Sequence, residues 1–218
     1  MKTLRILSGG AAHGLVEKLR PDFEAKTGFR IDGTFSAVGA MRDRLLAGEA
    51  ADVVILSRTM IDELVRSGHV VASSVVDVAQ VATAIALRRG DPLPDVGTAD
   101  ALRAALAAAD AIHFPDPAQA TAGIHFAQVI KQLGLSDQVA GRLRLAPNGT
   151  TAMGELAAST ARRPIGCTQE TEIRATPGVV LAAALPPGCE LVTTYTAAVT
   201  TRAQAPAEAA QLIARAKF

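Results

Sequence analysis

Short apolar runs alternate with stretches of helical spacing along nearly the whole chain. Residues 4–7 are an apolar run, and small residues follow over 8–12. Leu15, Val16, Leu19 and Phe23 then recur at the spacing of one helix face, with Thr27-Gly28 as a stop. Pro21 has no amide to donate inside that helix, so it should kink or shorten it. The same unit comes twice more. A strand is expected over 30–35, a small-residue turn over 36–39, and a helix through Met41, Leu45 and Leu46 to Gly48. Residues 52–56 are then almost purely Val, Ile and Leu, as in a parallel strand covered on both faces. Ser57-Arg58-Thr59 leads into a helix through Met60, Ile61, Leu64 and Val65 that ends at Ser67-Gly68. Three such units in succession predict a parallel sheet.

The second half continues in kind. A long strand is expected over 78–87, a Pro-containing loop over 88–98 and an Ala-rich helix over 99–109. A strand over 111–114 is broken by Pro115-Asp116-Pro117, and a helix follows over 121–133. Next come a strand (143–146), a Pro147-Asn148-Gly149 turn, a helix (150–159) and a short strand (165–168). Two further strands, over 179–185 and 191–195, precede a terminal amphipathic helix over 206–217.

Composition narrows the function. At 218 residues, 49% hydrophobic, the chain can bury one large core or two small ones. Lys and Arg number 22 against 21 Asp and Glu, a balance that gives nucleic acid no electrostatic foothold. With 3% aromatics, no Trp and one Tyr, base-stacking platforms are excluded as well. No run approaches the ~18 apolar residues of a membrane span. Cys167 and Cys189 are too few for a disulfide framework or a zinc cluster; they could form one disulfide, and buried thiols are the favoured reading. The first strand begins almost at Met1 with no signal-peptide core ahead of it. The expectation is therefore a cytoplasmic protein, or a periplasmic one if a leader has been removed.

Candidate chemistry lies where strands hand over to helices. Ligands of open parallel sheets bind beyond the carboxyl ends of the strands, where helix-start amides favour an anion. Small or hydroxyl residues recur in the turns there, and the candidate ligand positions are Gly10 and Ala11, Ser36 with Val38 and Gly39, Ser57 with Arg58, Thr121 with Ala122, Thr151, and Gln169. Each turn alone could be an ordinary cap. Six in series point to a cleft for a small anion such as a carboxylate. His13, at the start of the first helix, reads equally well as a general base and as a solvent-facing helix-start histidine. Glu170 and Gln169 could add a base and a polar contact, while Glu172 could simply serve the helix dipole. His69 reads as surface, His113 as a packed core residue and His125 as structural. Asp116 reads as a turn former or a cleft carboxylate. No nucleotide motif, catalytic triad or metal-ligating helix is legible, so no cofactor and no metal site are expected.

The segments 8–23, 35–57 (with Leu46-Ala47-Gly48-Glu49-Ala50-Ala51-Asp52), 116–123 with Leu133-Gly134, and 164–172 resemble the substrate-binding proteins of molybdate-type ABC transporters. That resemblance implies the type 2 periplasmic-binding-protein fold: two α/β lobes, each a mostly parallel sheet flanked by helices, joined by two crossover strands. By position the crossovers would be 78–87 and 190–199. Residues 1–80 plus 197–218 would form one lobe and 81–196 the other, with the ligand held between them. Oxyanion binders of this family use a serine in the first turn, a serine in the second and a late tyrosine. The matching positions here are Ala11, the Ala37-Val38-Gly39 stretch and Gln169. Each hydrogen bond lost to an anion costs on the order of 1.5–3 kcal/mol, which argues against tight tetrahedral-oxyanion binding.

A subset resembling these receptors is enzymatic, aconitate isomerase being an example. The favoured expectation is a cofactor-free isomerase that shifts an allylic proton on an unsaturated carboxylate, with His13 and Glu170 as proton-transfer groups. The alternative is a receptor for an oxyanion or organic acid, or a cytoplasmic ligand sensor. In either case the partner is a small anionic ligand, with an ABC permease only if the protein is exported.

Overall fold

In the computed structural model, residues 2–216 are described, and they divide into two compact units. Unit 1 comprises residues up to Gln80 together with those from Thr193 onward, and unit 2 runs from Val81 to Val192. Residues 193–196, which the sequence reading placed in the second lobe, belong to the first. Lys217, the expected end of the last helix, lies outside the described residues, as do Met1 and Phe218.

Unit 1 is built on β1 (Lys2–Gly9), β2 (Phe29–Ser36) and β3 (Val53–Ser57), all parallel, with β1 in the middle. The strand β9 (Val192–Val199) adds to β3 in antiparallel sense. All five residues of β3 are buried, as the unbroken apolar run 53–56 requires of a strand covered on both faces. The helices α1 (His13–Thr27), α2 (Val38–Leu46) and α3 (Arg58–Arg66) each follow one of the parallel strands. The last helix, α9 (Pro206–Ala216), packs on α1, with Arg215 paired to Asp22. Phe23, Ile31, Leu56, Ile61, Leu64 and Leu212 lie in this core.

Pro21 does not shorten α1, which runs on to Thr27. Its two flanking turns are tied to the neighbouring strand: Arg20 Nη1 donates to the Ile31 carbonyl at 2.6 Å, and Ile31 N–H donates to Glu24 Oε1 at 2.9 Å. These anchors hold the helix through the position where a backbone hydrogen bond is missing.

Unit 2 contains β5 (Ala111–Pro115) between β6 (Leu143–Ala146) and β7 (Pro164–Gln169), all parallel. The strand β4 (Val76–Arg88), which starts in unit 1, pairs antiparallel with both β7 and β8 (Val179–Ala184). Helices α4 (Ala99–Ala108), α5 (Thr121–Gln132) and the short α6 (Ser136–Val139) supply Leu102, Leu106, Phe126, Val129 and Val139 to one core cluster, where Phe114 meets Phe126 edge-on. A second cluster forms around Met153 and Leu156 of α7 (Gly149–Ala157) and Ile173 of α8 (Glu170–Ala175). Cys167 and Cys189 are buried free thiols of the first cluster, as expected.

Candidate functional site

In unit 1 the three strand ends lie side by side. Gly9 is registered opposite Ser36 on β2, and Ser8 opposite Ile55 on β3, so the next residues bring Gly9, Ser36 and Ser57 to one edge. A helix or helical turn begins within two residues of each. Residues Gly10–Ala12 form one 3-10 turn that runs into α1, α2 starts at Val38 and α3 at Arg58. The cap residues Gly9, Ala37 and Ser57 share an extended backbone near φ −60° and ψ 140°, and none makes a side-chain cap hydrogen bond. Helix-start amides are groups that can take up an anion. Gly10 is half-buried. Ala11, Val38, Gly39 and Ser57 are buried.

His13, the first residue of α1, stands at this edge with its side chain 53% exposed. Its ring lies 4.2 Å from that of Phe35 at a tilt of 33°, and its Nε2 is 3.5 Å from Glu17 Oε1. Arg58 is already engaged. Nη1 donates to Asp77 at 2.7 Å and Nε to Asp62 at 3.1 Å, and Asp77 also accepts from Thr196 Oγ1 at 2.7 Å. The Thr196 hydroxyl and Arg58 together hold the Asp77 carboxyl below its usual range. Two carboxylates on one guanidinium leave Arg58 weakly suited to serve as an anion ligand.

Tyr195 belongs to the same edge and was not anticipated. It pairs with Ser57 across the β3–β9 ladder, is 3% exposed, and its ring lies against Gly9. The sequence reading assigned the family's tyrosine position to Gln169 and found the phenol missing, whereas this fold brings one to the first turn from another strand. The one tyrosine of the chain was the available signal.

Unit 2 has its own such edge. Pro115 of β5 is registered with Ala146 of β6, and His113 with Gly166 of β7. The helices α5, α7 and α8 begin beyond these ends. The caps Ala120 and Gln169 make no side-chain cap hydrogen bond, but Asn148 Oδ1 accepts from Thr151 N–H at 2.8 Å. That amide is therefore committed inside the protein. Thr121 is half-buried, Ala122 and Gln169 are buried, and Glu170 is 3.9 Å from Arg174 of its own helix. Asp116 is a turn former, its Oδ1 accepting from Ala118 N–H at 2.7 Å.

Glu172, which reads from sequence as serving the helix dipole, takes a different place. Its carboxyl is buried, accepts from Thr168 Oγ1 at 2.7 Å and lies against Gly149, the first residue of α7. Burial pushes it up to about 7, against the opposing pull of Thr168 and the Gln169 amide. Nothing local in the sequence separates it from the half-buried acid Glu170; only the packing of α7 and α8 does.

The remaining histidines take structural places. His113 is buried within β5, where burial lowers its affinity for a proton. His125 Nε2 is 2.8 Å from the Cys189 carbonyl, and His69 Nδ1 is 2.9 Å from Ser67 Oγ. Among the described residues, no group of three or more His, Cys, Asp or Glu could hold a metal ion, and no helix is long and apolar enough to cross a membrane.

Comparison with known proteins agrees with this architecture. The bacterial extracellular solute-binding protein family matches residues 4–216. An aconitate isomerase of a Pseudomonas species is 29% identical over 97% of this chain and 80% of its own length. Among solved structures, the periplasmic molybdate-binding protein of Azotobacter vinelandii superposes with a TM-score of 0.80 at 19% identity, covering 99% of this chain and 93% of that one. A sulfate-binding protein of Mycobacterium tuberculosis gives 0.75 at 16% identity, covering 99% and 81%. These two likenesses establish the type 2 periplasmic-binding-protein fold.

Proposed function

Because the chain belongs to the bacterial extracellular solute-binding protein family, we propose that it binds a small polycarboxylate and isomerises it by allylic proton transfer. The observation that carries this reading is the setting of His13. An imidazole, the side chain most used for proton transfer, heads α1 half-exposed to solvent beside three helix starts that lack side-chain caps. The relative named aconitate isomerase supports the same choice.

The chemistry needs little machinery. A base removes a proton from the carbon next to a C=C bond, and the electron pair left behind forms the new double bond. The old double bond takes up a proton at its far carbon, so bonds and charge balance without an oxidant or cofactor. Carboxylates fixed by helix-start amides stabilise the negative charge that builds up in between. In this scheme His13 is the base and the unit 1 edge clamps carboxylate.

The test is proton NMR in deuterium oxide with cis- and trans-aconitate as probes. Interconversion with deuterium entering the allylic carbon is expected, and it should be lost in His13→Ala. Thermal shift with aconitate against molybdate and tungstate separates the receptor reading. A ligand at 100 times its Kd stabilises by about 2.7 kcal/mol. A shift with molybdate alone, and no exchange on either aconitate, would overturn the proposal.

A further inference from the structure

We propose that Glu17 is a positioning residue that fixes the His13 ring with Nε2 turned toward its carboxylate, so that Nδ1 is the atom presented to substrate. The inference rests on the reading of His13 as the base and adds which nitrogen acts and what holds it.

The helix α1 carries His13, Glu17, Arg20 and Glu24 at spacings of four, three and four, which is one face. That face forms a continuous chain of contacts ending on the sheet. Arg20 grips Glu17 with two nitrogens, Nη2 to Oε1 at 2.6 Å and Nε to Oε2 at 2.9 Å. Such a two-pronged grip fixes the plane of a carboxylate as well as its place. Arg20 itself is anchored by Nη1 to the Ile31 carbonyl at 2.6 Å and to Glu24 Oε1 at 3.2 Å, while Glu24 Oε1 accepts from Ile31 N–H. Thus Glu17 is held from β2, and its Oε1 faces His13 Nε2 at 3.5 Å. The hydrogen bond from Arg20 also holds the Glu17 carboxyl below its usual range, so it stays an acceptor over the working range of pH.

The second contact on the ring is Phe35. Its ring folds back along β2 over Gly33, where a Cβ would fall 2.6 Å from Phe35 Cε2. Residue 33 must therefore be small for Phe35 to reach its place 4.2 Å from the imidazole. A surface ladder made only for helix stability would need Glu17, Arg20 and Glu24. It would not need a stacked histidine at the helix start with a ring platform beneath it. A carboxylate at Nε2 selects the neutral tautomer that carries its hydrogen there, and Nδ1 keeps the lone pair that can accept a proton.

The experiment measures the His13 tautomer in the full chain by long-range nitrogen–proton NMR on histidine-labelled protein, beside exchange kinetics on trans-aconitate. The wild type should show the Nε2–H tautomer, Glu17→Ala a mixture, and Glu17→Gln, which keeps an acceptor oxygen, a partial return. In Glu17→Ala kcat should fall about tenfold or more with KM nearly unchanged. The same tautomer in wild type and Glu17→Ala, or an Nδ1–H wild type, would overturn the inference. If the tautomer follows Glu17 while wild type shows no exchange, the positioning stands and the isomerase reading fails.

Discussion

The ring of Tyr195 occupies the space that a side chain on Gly9 would need: a Cβ at position 9 would fall 2.8 Å from Tyr195 Cε1 and 2.7 Å from Val38 Cγ1. The last residue of β1, the first residue of α2 and a strand from the far end of the chain therefore meet at one point. Gly9→Ala must displace either the ring or Val38. Overpacking of this kind costs about 1–3 kcal/mol, read as a lower urea midpoint, and ligand affinity should fall with it. An unchanged midpoint would mean that the edge yields easily.

The phenol can be tested separately. Tyr195→Phe keeps the ring and hence the packing, so stability should change by less than about 1 kcal/mol. Under the proposed function, aconitate affinity should fall roughly tenfold, as for loss of one hydrogen bond to a charged group. Calorimetric titration of both proteins reads this directly, and equal affinities would remove Tyr195 from the binding edge.

Much of the architecture was legible because its signals are local. An unbroken apolar run such as that over 53–56 belongs in a buried strand, and the helix starts follow from small residues standing between two periodicities. Contacts that join distant segments left no such trace. Arg58 stands in the sequence as a candidate anion contact at a helix start, yet it is neutralised by Asp77 on β4. Thr151 looks like an anion-facing amide until Asn148 is seen to cap it. The burial of Glu172 depends on Gly149 and Thr168, which become its neighbours only when α7 and α8 pack together. Among the proposed site residues, His13 was readable from its place in the chain, but Glu17 and Phe35 at its ring were not.

Asp52 should be the most costly surface-distant carboxylate to remove. It is 2% exposed and accepts three backbone amides, from Arg5 at 2.8 Å, Gln204 at 2.7 Å and Ala205 at 3.0 Å. One side chain thus joins β1, β3 and the residues leading into α9. Asp52→Ala strands three donors in a buried place, and a loss of about 3–5 kcal/mol is expected. Asp52→Asn, which keeps one acceptor oxygen, should lose less. Urea unfolding of the three proteins checks the order, and a cost below about 1 kcal/mol for Asp52→Ala would show that water replaces the carboxylate.

Glu172 gives the protein a defined pH dependence. Its folded value of about 7 lies above the ordinary 4.5, so the native state holds this proton more tightly than the unfolded chain does. Below about pH 4.5 both states are protonated and the group carries no penalty. Between there and about pH 7 the unfolded chain ionises while the native carboxyl resists, so stability falls as pH rises. Above about pH 7 both are ionised and the loss is complete, on the order of 3 kcal/mol at 1.36 kcal/mol per unit. Glu172→Gln stays neutral throughout and can still accept from Thr168. Its stability should therefore lack this slope: close to wild type near pH 5 and above it near pH 8. Urea midpoints across that window measure the difference. Parallel curves for the two proteins would mean that the buried carboxyl ionises as freely as one in water, through a path for solvent past Gly149.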